Sequence, residues 1–351
     1  DNISAQFAAR KFGVLANPFG TVYNPVSIAR QIRAIADGKV FGESDVFQDA
    51  RGLQDVSGKQ DARGNQDARG PWYSWDAHGS LSGATREECI KKLNNAATRT
   101  REFLKQADVV FITLGTAFVY YLKDGDSSSV GDAHGRAVAN CHRQDPALFE
   151  RRMITVEEAA QAIRGIVESI CRIKNQDWIA TPTARDDDRK FHIVFTVSPL
   201  RHMGDGAHNN TLSKATLQLA VNNVINKVTT VPSASSGTLP VSYFPSYEIV
   251  MDELRDYRFY ADDMVHLSKT AEEYIFERMA ESYCSEKTRA DIAQVEKLIR
   301  MANHRIADLE SPATHAFAGK ILAQAKSLEK SISGLDLSEE IAKFSKISGN
   351  P

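Results

Sequence analysis

The sequence predicts an α/β protein: a parallel sheet with helices on both faces, three layers in all, followed by a C-terminal helical hairpin. Three observations predict it. Asp108 to Leu114 and Phe191 to Val197 are near-continuous runs of β-branched and aromatic residues, as in strands buried on both faces. Strand and helix patterns alternate from Asp108 to Ser282, as the crossovers of a parallel sheet require. After Cys284 only helical spacing remains. Ile292, Val295, Ile299, Ala302, Ile306 and Leu309 form one stripe, and Ile321, Ala325, Leu328, Ile332 and Leu335 form another beyond Ser311-Pro312. The expected domains are accordingly an α/β domain over 1–284 and a helical extension over 285–351.

Composition narrows the function. A formal charge of -2 with 25% charged residues leaves no basic footprint for nucleic acid. No apolar run approaches the roughly 18 residues that read as a bilayer span, so no membrane partner is expected. Cys89, Cys141, Cys171 and Cys284 are far apart and form no C-x-x-C pair, which fits a reducing, cytoplasmic setting better than a disulfide scaffold.

In chain order, Ile3 and Phe7 share a face with Lys11 or Phe12, predicting an opening helix that stops at Gly13. A parallel sheet should not open on a helix, so its first strand is expected just ahead of Asp1. Pro18, Gly20, Asn24 and Pro25 punctuate a loop before a helix from about Ser27. Between 48 and 70, Gln-Asp recurs every six residues, at Gln48, Gln54, Gln60 and Gln66. The large apolar residues there, Leu53 and Val56, fall at different phases, so no β-helix core can form and a low-complexity inserted loop is expected.

Trp72, Trp75, Asp76 and His78 then form a polar–aromatic cluster, and a capping box of Thr85 with Glu88 starts a helix to about Gln106. The strand from Asp108 follows, with Gly115 and Thr116 at its carboxyl end, where ligands bind in open α/β sheets. A loop spans Lys123 to Asp145. Thr155 and Glu158 box the start of a helix whose Val156, Ile163, Val167, Ile170 and Ile173 share a face. A charged turn at Asp186 to Arg189 precedes the strand from Phe191, and the loop SPLRHMGDGAHNN follows that strand. Next come a helix from about Ser213 to Lys227, the linker VPSASSGTLP and a short strand from Val241 to Phe244. The C-terminal stripes are expected to dock on the body of the protein, with homo-oligomer contact through them as the competing reading.

The stretch densest in aromatic and charged residues is Tyr243 to Tyr274, with Asp263-x-x-His266 at its centre. A carboxylate three residues ahead of a histidine, in a loop before a helix, suits a general base with its orienter. A solvated pair is the alternative. The Gly20 loop can offer backbone N–H groups to an anion, although on the residues alone a plain turn is the favoured reading. Ser198, Arg201 and His202 follow the second strand and suit an anionic or hydroxyl-rich ligand; structural hydrogen bonding competes. His78, His134, Cys141, His142, His202 and His208 show neither H-x-x-x-H nor paired-cysteine spacing, so no metal is expected, nor any other cofactor. Ser44 has no buried strand pattern before it, and Ser198 precedes Pro199, which lacks an N–H for an oxyanion; neither suits a nucleophile.

Several segments together resemble the GSCFA family of the SGNH (GDSL-like) hydrolases. They are NPFGTVYNP (17–25), WYSWDAHGSLSG (72–83), TLGTAFVY (113–120), NCH (140–142), TVSPLRH with the following DG (196–206), and YFPSYEIVMDELRDYRFYADDMVH (243–266). They run in the family's order over about residues 1–285. The resemblance implies an SGNH-hydrolase-like fold and a serine esterase or acyltransferase acting on small-molecule or carbohydrate acyl esters, acetylated sugars included. It makes His266 the base and Asp263 its orienter, with Asp262 as the competing orienter. Gly20 and Gly115 become oxyanion or backbone-approach positions. Asn24, His78, Thr116, His142, Ser198, Arg201 and His202 are the candidate substrate-binding positions, with support of the active-site wall as the favoured reading of Asn140-Cys141-His142. The serine of the G-S-C-F-A motif is expected immediately before Asp1. Leu267 stands where proline is usual, Ala117 replaces the Asn of the G-x-N-D block, and the Gln-Asp repeat is an insertion. The alternative is a non-catalytic carbohydrate- or ligand-binding protein that keeps the cleft.

Overall fold

The computed structural model describes residues 2–49, 70–123, 135–174, 191–230, 241–306 and 308–349. Most of the Gln-Asp repeat, the centre of the loop after Lys123, the charged turn near Asp186 and the linker after Thr230 lie outside the described residues. The chain is mixed α/β and groups into two compact units, Asn17–Glu253 and Asp1–Ala16 with Leu254–Pro351.

The first unit is built on a three-stranded parallel sheet in the order β3-β7-β8: β3 (Val109–Leu114), β7 (His192–Val197) and β8 (Val241–Tyr243). Val109 pairs with His192 through to Leu114 with Val197, and Ile193 pairs with Val241 on the other side. β7 is the middle strand and is buried from Ile193 to Val197, which is why its sequence shows no polar alternation. Helices α2 (Pro25–Ala36) and α3 (Arg86–Gln106) precede β3, α4 (Val156–Ile173) lies between β3 and β7, and α5 (Gly206–Thr230) lies between β7 and β8. Ile163, Ile166, Val167 and Ile170 of α4 and Leu217, Val221 and Val224 of α5 share the sheet's core. Each such side chain stabilises the fold by about 1.5–3 kcal/mol on full burial.

The capping boxes differ in outcome. At α4 the exchange is reciprocal: Glu158 N–H donates to Thr155 Oγ1 at 3.2 Å, and Thr155 N–H donates to Glu158 Oε2 at 2.7 Å. At α3, Thr85 caps Glu88 N–H, but the Glu88 carboxylate accepts from Ala84 instead. α5 starts at Gly206 rather than Ser213, because Gly206, with φ 71°, turns the chain directly from the 3-10 turn Met203–Asp205 into the helix.

The sequence pattern does not announce a second, antiparallel sheet in the order β5-β4-β6, formed by β4 (Phe118–Leu122), β5 (Ala137–Val138) and β6 (Phe149–Met153). β6 carries a Glu-Arg-Arg run, yet it pairs, with Arg151 lying 4.1 Å over the Phe118 ring and Arg152 4.9 Å over Tyr121. A two-stranded antiparallel pair is formed by β1 (Phe47–Gln48) with β2 (Trp72–Tyr73). Between these sheets, Asp76 of the aromatic cluster binds Arg136 at 2.6 Å, and Trp75 stacks on Phe47 at 3.8 Å.

The stretch from Tyr243 divides between the units. Its first half locks the sheet: a single turn, α6 (Ser246–Glu248), runs into a π-turn at Ile249–Glu253. Ser246 bonds Thr196 Oγ1 at 2.6 Å and the Val197 carbonyl at 3.0 Å, and Tyr243 donates to Glu248.

The other unit contains α1 (Asn2–Ala9), α7 (Lys269–Tyr283), α8 (Glu286–Ala302), α9 (Pro312–Ser331) and α10 (Ser338–Ser348). α1 stops at Ala9, before Gly13, because Lys11 takes the left-handed conformation at φ 63° and Phe12 pairs with Leu335. Phe7 packs on Phe276 of α7 at 5.1 Å. Both C-terminal stripes are largely buried, but the expected hairpin gains a third helix, since α10 packs on α9 and buries Phe344. Leu309 leaves its stripe and is exposed, because α8 ends at Ala302. No helix among the described residues is long and apolar enough to cross a membrane.

Candidate functional site

Asp263 and His266 sit in a tight loop closed by pairing of Tyr260 with Leu267. Ala261 N–H donates to His266 O at 2.8 Å, Met264 N–H to Ala261 O at 2.9 Å, and Ser268 N–H to Phe259 O at 2.9 Å. Asp263 Oδ1 accepts the Val265 and His266 amides, both at 2.9 Å, while Oδ2 lies 2.5 Å from His266 Nδ1. The imidazole first, then these amides, hold the Asp263 carboxyl down at about 2. Asp263, rather than Asp262, meets the imidazole. With Nδ1 engaged, Nε2 is the nitrogen left for a reactant. The side chains are 66% exposed for His266 and 50% for Asp263. Leu267, where proline was the expectation, is buried and anchors the loop.

In the sheet unit, Asn24, Gly115, Thr116 and Ser198 come together at the carboxyl ends of β3 and β7. The Tyr23 carbonyl accepts the amides of Gly115 at 2.7 Å and Thr116 at 3.2 Å, and Ser198 N–H donates to Leu114 O at 2.8 Å. Asn24 caps α2 by accepting Ser27 N–H at 2.8 Å. Thr116 Oγ1 accepts Phe118 N–H at 3.0 Å and lies 3.2 Å from Ser213 Oγ. Gly115 approaches Tyr23 so closely that a Cβ would lie 3.1 Å from Tyr23 Cβ.

The two glycine amides expected at an oxyanion are engaged elsewhere: Gly20 N–H donates to Asn17 O at 2.7 Å, and Gly115 N–H to Tyr23 O. Gly20 is required on other grounds. It has φ 78°, and a Cβ there would lie 2.1 Å from His78 Cβ. His78 is exposed and accepts Ser80 N–H at 3.2 Å. His142 is buried, its Nε2 lies 2.8 Å from Ser74 O, and its ring stacks on Tyr73 at 4.5 Å. Burial lowers the His142 pKa, which suits a wall residue better than one that meets substrate.

After β7, Ser198 Oγ accepts Leu200 N–H at 3.3 Å and Arg201 is exposed. His202 Nδ1 lies 3.0 Å from Asp205 Oδ2, and Arg151 donates to Asp205 Oδ1. No group of three His, Cys, Asp or Glu residues that could hold a metal ion occurs among the described residues.

Three residues of this region escape sequence reasoning. Asp205 and Arg151 do so because they come from distant strand and loop segments. Lys214 is fully buried, donates to Gly115 O at 2.6 Å, and has its ammonium pushed down to about 8 by burial. Its register was a signal: Lys214 falls on the stripe of Leu217, Val221 and Val224, where a charge is out of place.

A mixed α/β chain with a loop-borne carboxylate–imidazole pair and a separate helical core is the class of protein these features define. This chain belongs to the GSCFA family: the profile described as the GSCFA family matches residues 1–279. A second profile, the C-terminal domain of GSCFA domain proteins, matches 295–347. No curated protein and no solved structure matches the chain.

Proposed function

We propose that the protein is a serine-type esterase or acyltransferase of the SGNH kind, acting in the cytoplasm on small-molecule or carbohydrate acyl esters and needing no cofactor. The observation that carries this is the 2.5 Å contact between His266 Nδ1 and Asp263 Oδ2. In this reading Nε2 takes the proton of a serine hydroxyl as its oxygen attacks the acyl carbonyl. The proton then passes to the departing alcohol, and Asp263 stabilises the imidazolium in between. The serine is the one the family resemblance expects ahead of Asp1. A three-layer arrangement around the parallel sheet belongs to the same reading.

The engagement of the Gly20 and Gly115 amides favours a second reading, a non-catalytic carbohydrate- or ligand-binding protein, because it leaves the oxyanion to other donors. One experiment separates them. The protein extended upstream of Asp1 is treated with a fluorophosphonate and assayed on a short-chain aryl ester. Labelling, with hydrolysis reduced at least about a hundredfold in His266→Ala, supports the esterase. Absence of both leaves the binding protein.

A further inference from the structure

The sheet unit holds a carboxylate–imidazole pair of its own, built on a different principle. The Asp205 side chain is 2% exposed while the His202 ring is 54% exposed. Arg151, on β6, takes Asp205 Oδ1 and is itself stacked over Phe118 at 4.1 Å and Tyr120 at 5.4 Å. The other carboxylate oxygen, Oδ2, is buried and has no fully formed hydrogen bond among the described residues; His202 Nδ1, 3.0 Å away, is the donor in reach. A buried carboxylate oxygen demands a donor, so the proton of a neutral His202 belongs on Nδ1. Nε2 is then a fixed acceptor. The backbone is anchored as well: His202 N–H donates to Asn210 Oδ1 at 3.0 Å, and Asp205 N–H to His202 O at 3.1 Å. Next to Arg151, the Tyr120 ring is 40% exposed.

We propose that His202 Nε2 is a binding site for a ligand hydroxyl, with Asp205 and Arg151 as its positioning residues and the Tyr120 ring as an apolar neighbour for a sugar face. Merely fastening the loop would need only the Arg151–Asp205 pair. Adding an imidazole with one nitrogen turned inward and the other outward creates a pre-oriented acceptor, and an aromatic ring with a few fixed polar groups is what a hydroxyl-rich ligand requires. The carbohydrate class rests on the esterase reading; the acceptor geometry does not.

The test uses the whole chain, labelled with ¹⁵N-histidine and titrated with xylotriose. His202 is expected to show the Nδ1–H tautomer, with its Nε2 resonance moving on addition of the sugar. His202→Phe is expected to weaken binding about tenfold, the loss of roughly one hydrogen bond. Asp205→Asn is expected to mix the tautomers and weaken binding severalfold, and Arg151→Lys to retain most of both. A His202 resonance that ignores saturating sugar, or His202→Phe binding as tightly as the wild type, overturns the proposal. Fluorophosphonate labelling reports separately. Sugar binding through His202 without labelling would sink the esterase and spare this site, and labelling without sugar binding would do the reverse.

Discussion

Two carboxylate–imidazole pairs, each with i, i+3 spacing, stand in the two units of this protein and are held in opposite ways. Asp263–His266 is local: both partners are exposed, and the carboxylate is fixed by two amides of its own loop. Asp205–His202 is tertiary: its carboxylate is buried and depends on a guanidinium from another strand. An exposed pair contributes little to stability and is free to move protons, whereas a buried carboxylate is costly to leave without its partner. The same sequence spacing therefore predicts different behaviour.

The largest effect should come from breaking the buried pair. Arg151→Met leaves Asp205 charged, buried and without its guanidinium, and is expected to lower stability by about 3–5 kcal/mol in urea unfolding. Asp263→Asn keeps an oxygen for the two loop amides and should change stability by no more than about 0.5 kcal/mol, while reducing any His266-dependent hydrolysis a hundredfold or more. Equal stability losses in the two variants would erase the distinction.

A second buried charge extends the contrast to alkaline pH. Lys214 has a folded-state value of about 8 against an ordinary 10.5. Between those values the unfolded chain holds the proton that the folded chain has released, so stability rises with pH across that window; below about 8 the full cost of the buried charge is present. The rise should be about 2 kcal/mol relative to Lys214→Met, read as the difference in urea midpoints between pH 8 and pH 10. Parallel curves would mean that Lys214 is not the group responsible.

The acid side carries a smaller effect. The Arg152 guanidinium, ahead of the Thr155 contacts, holds Glu158 down at about 2. Its stabilisation is present above the ordinary value of 4.5 and is lost as the pH falls towards about 2. The Glu158 side chain is 36% exposed, so solvent screening reduces the contribution to about 1 kcal/mol. Glu158→Gln should flatten the acid limb of the stability curve by that amount. Asp263 also titrates near 2, but on an exposed loop, so Asp263→Asn should leave that limb nearly unchanged.

These cases also show what the sequence can reveal. Asp263 and His266 were legible because the whole device lies within a few residues, as were the strands β3 and β7 and the Thr155 box. β3, at the end of the described three-stranded sheet, is only partly buried, with Val109 and Thr113 exposed, where burial on both faces was expected. Asp205 was invisible because its partner lies 54 residues away on a strand whose Phe-Glu-Arg-Arg-Met pattern is not strand-like until Phe118 and Tyr121 lie beneath its arginines. Gly20 and Gly115 were legible as special positions but not as to why. The reason is close packing on His78 and Tyr23, which no spacing encodes. Lys214 broke an apolar stripe, and local inconsistency of that kind is the usual sign of a functional or strained site.

The smallest effect tests whether the exposed pair is shaped by backbone conformation. Met264, between the two partners, has φ 58° and is 55% exposed. A non-glycine residue in the left-handed region costs roughly 1–2 kcal/mol, and glycine would remove that cost while adding roughly 0.5–1 kcal/mol of unfolded-state entropy. Met264→Gly should therefore stabilise the protein by about 0.5 kcal/mol. It should also loosen the loop that sets the 2.5 Å contact, so His266-dependent hydrolysis should fall a few-fold. Met264→Ile, β-branched at the same angle, should lose stability instead. Opposite signs for glycine and isoleucine in thermal unfolding would identify the loop backbone as what positions this pair, as Arg151 positions the other. Equal signs would return the pair to a contact that any exposed histidine and aspartate could make.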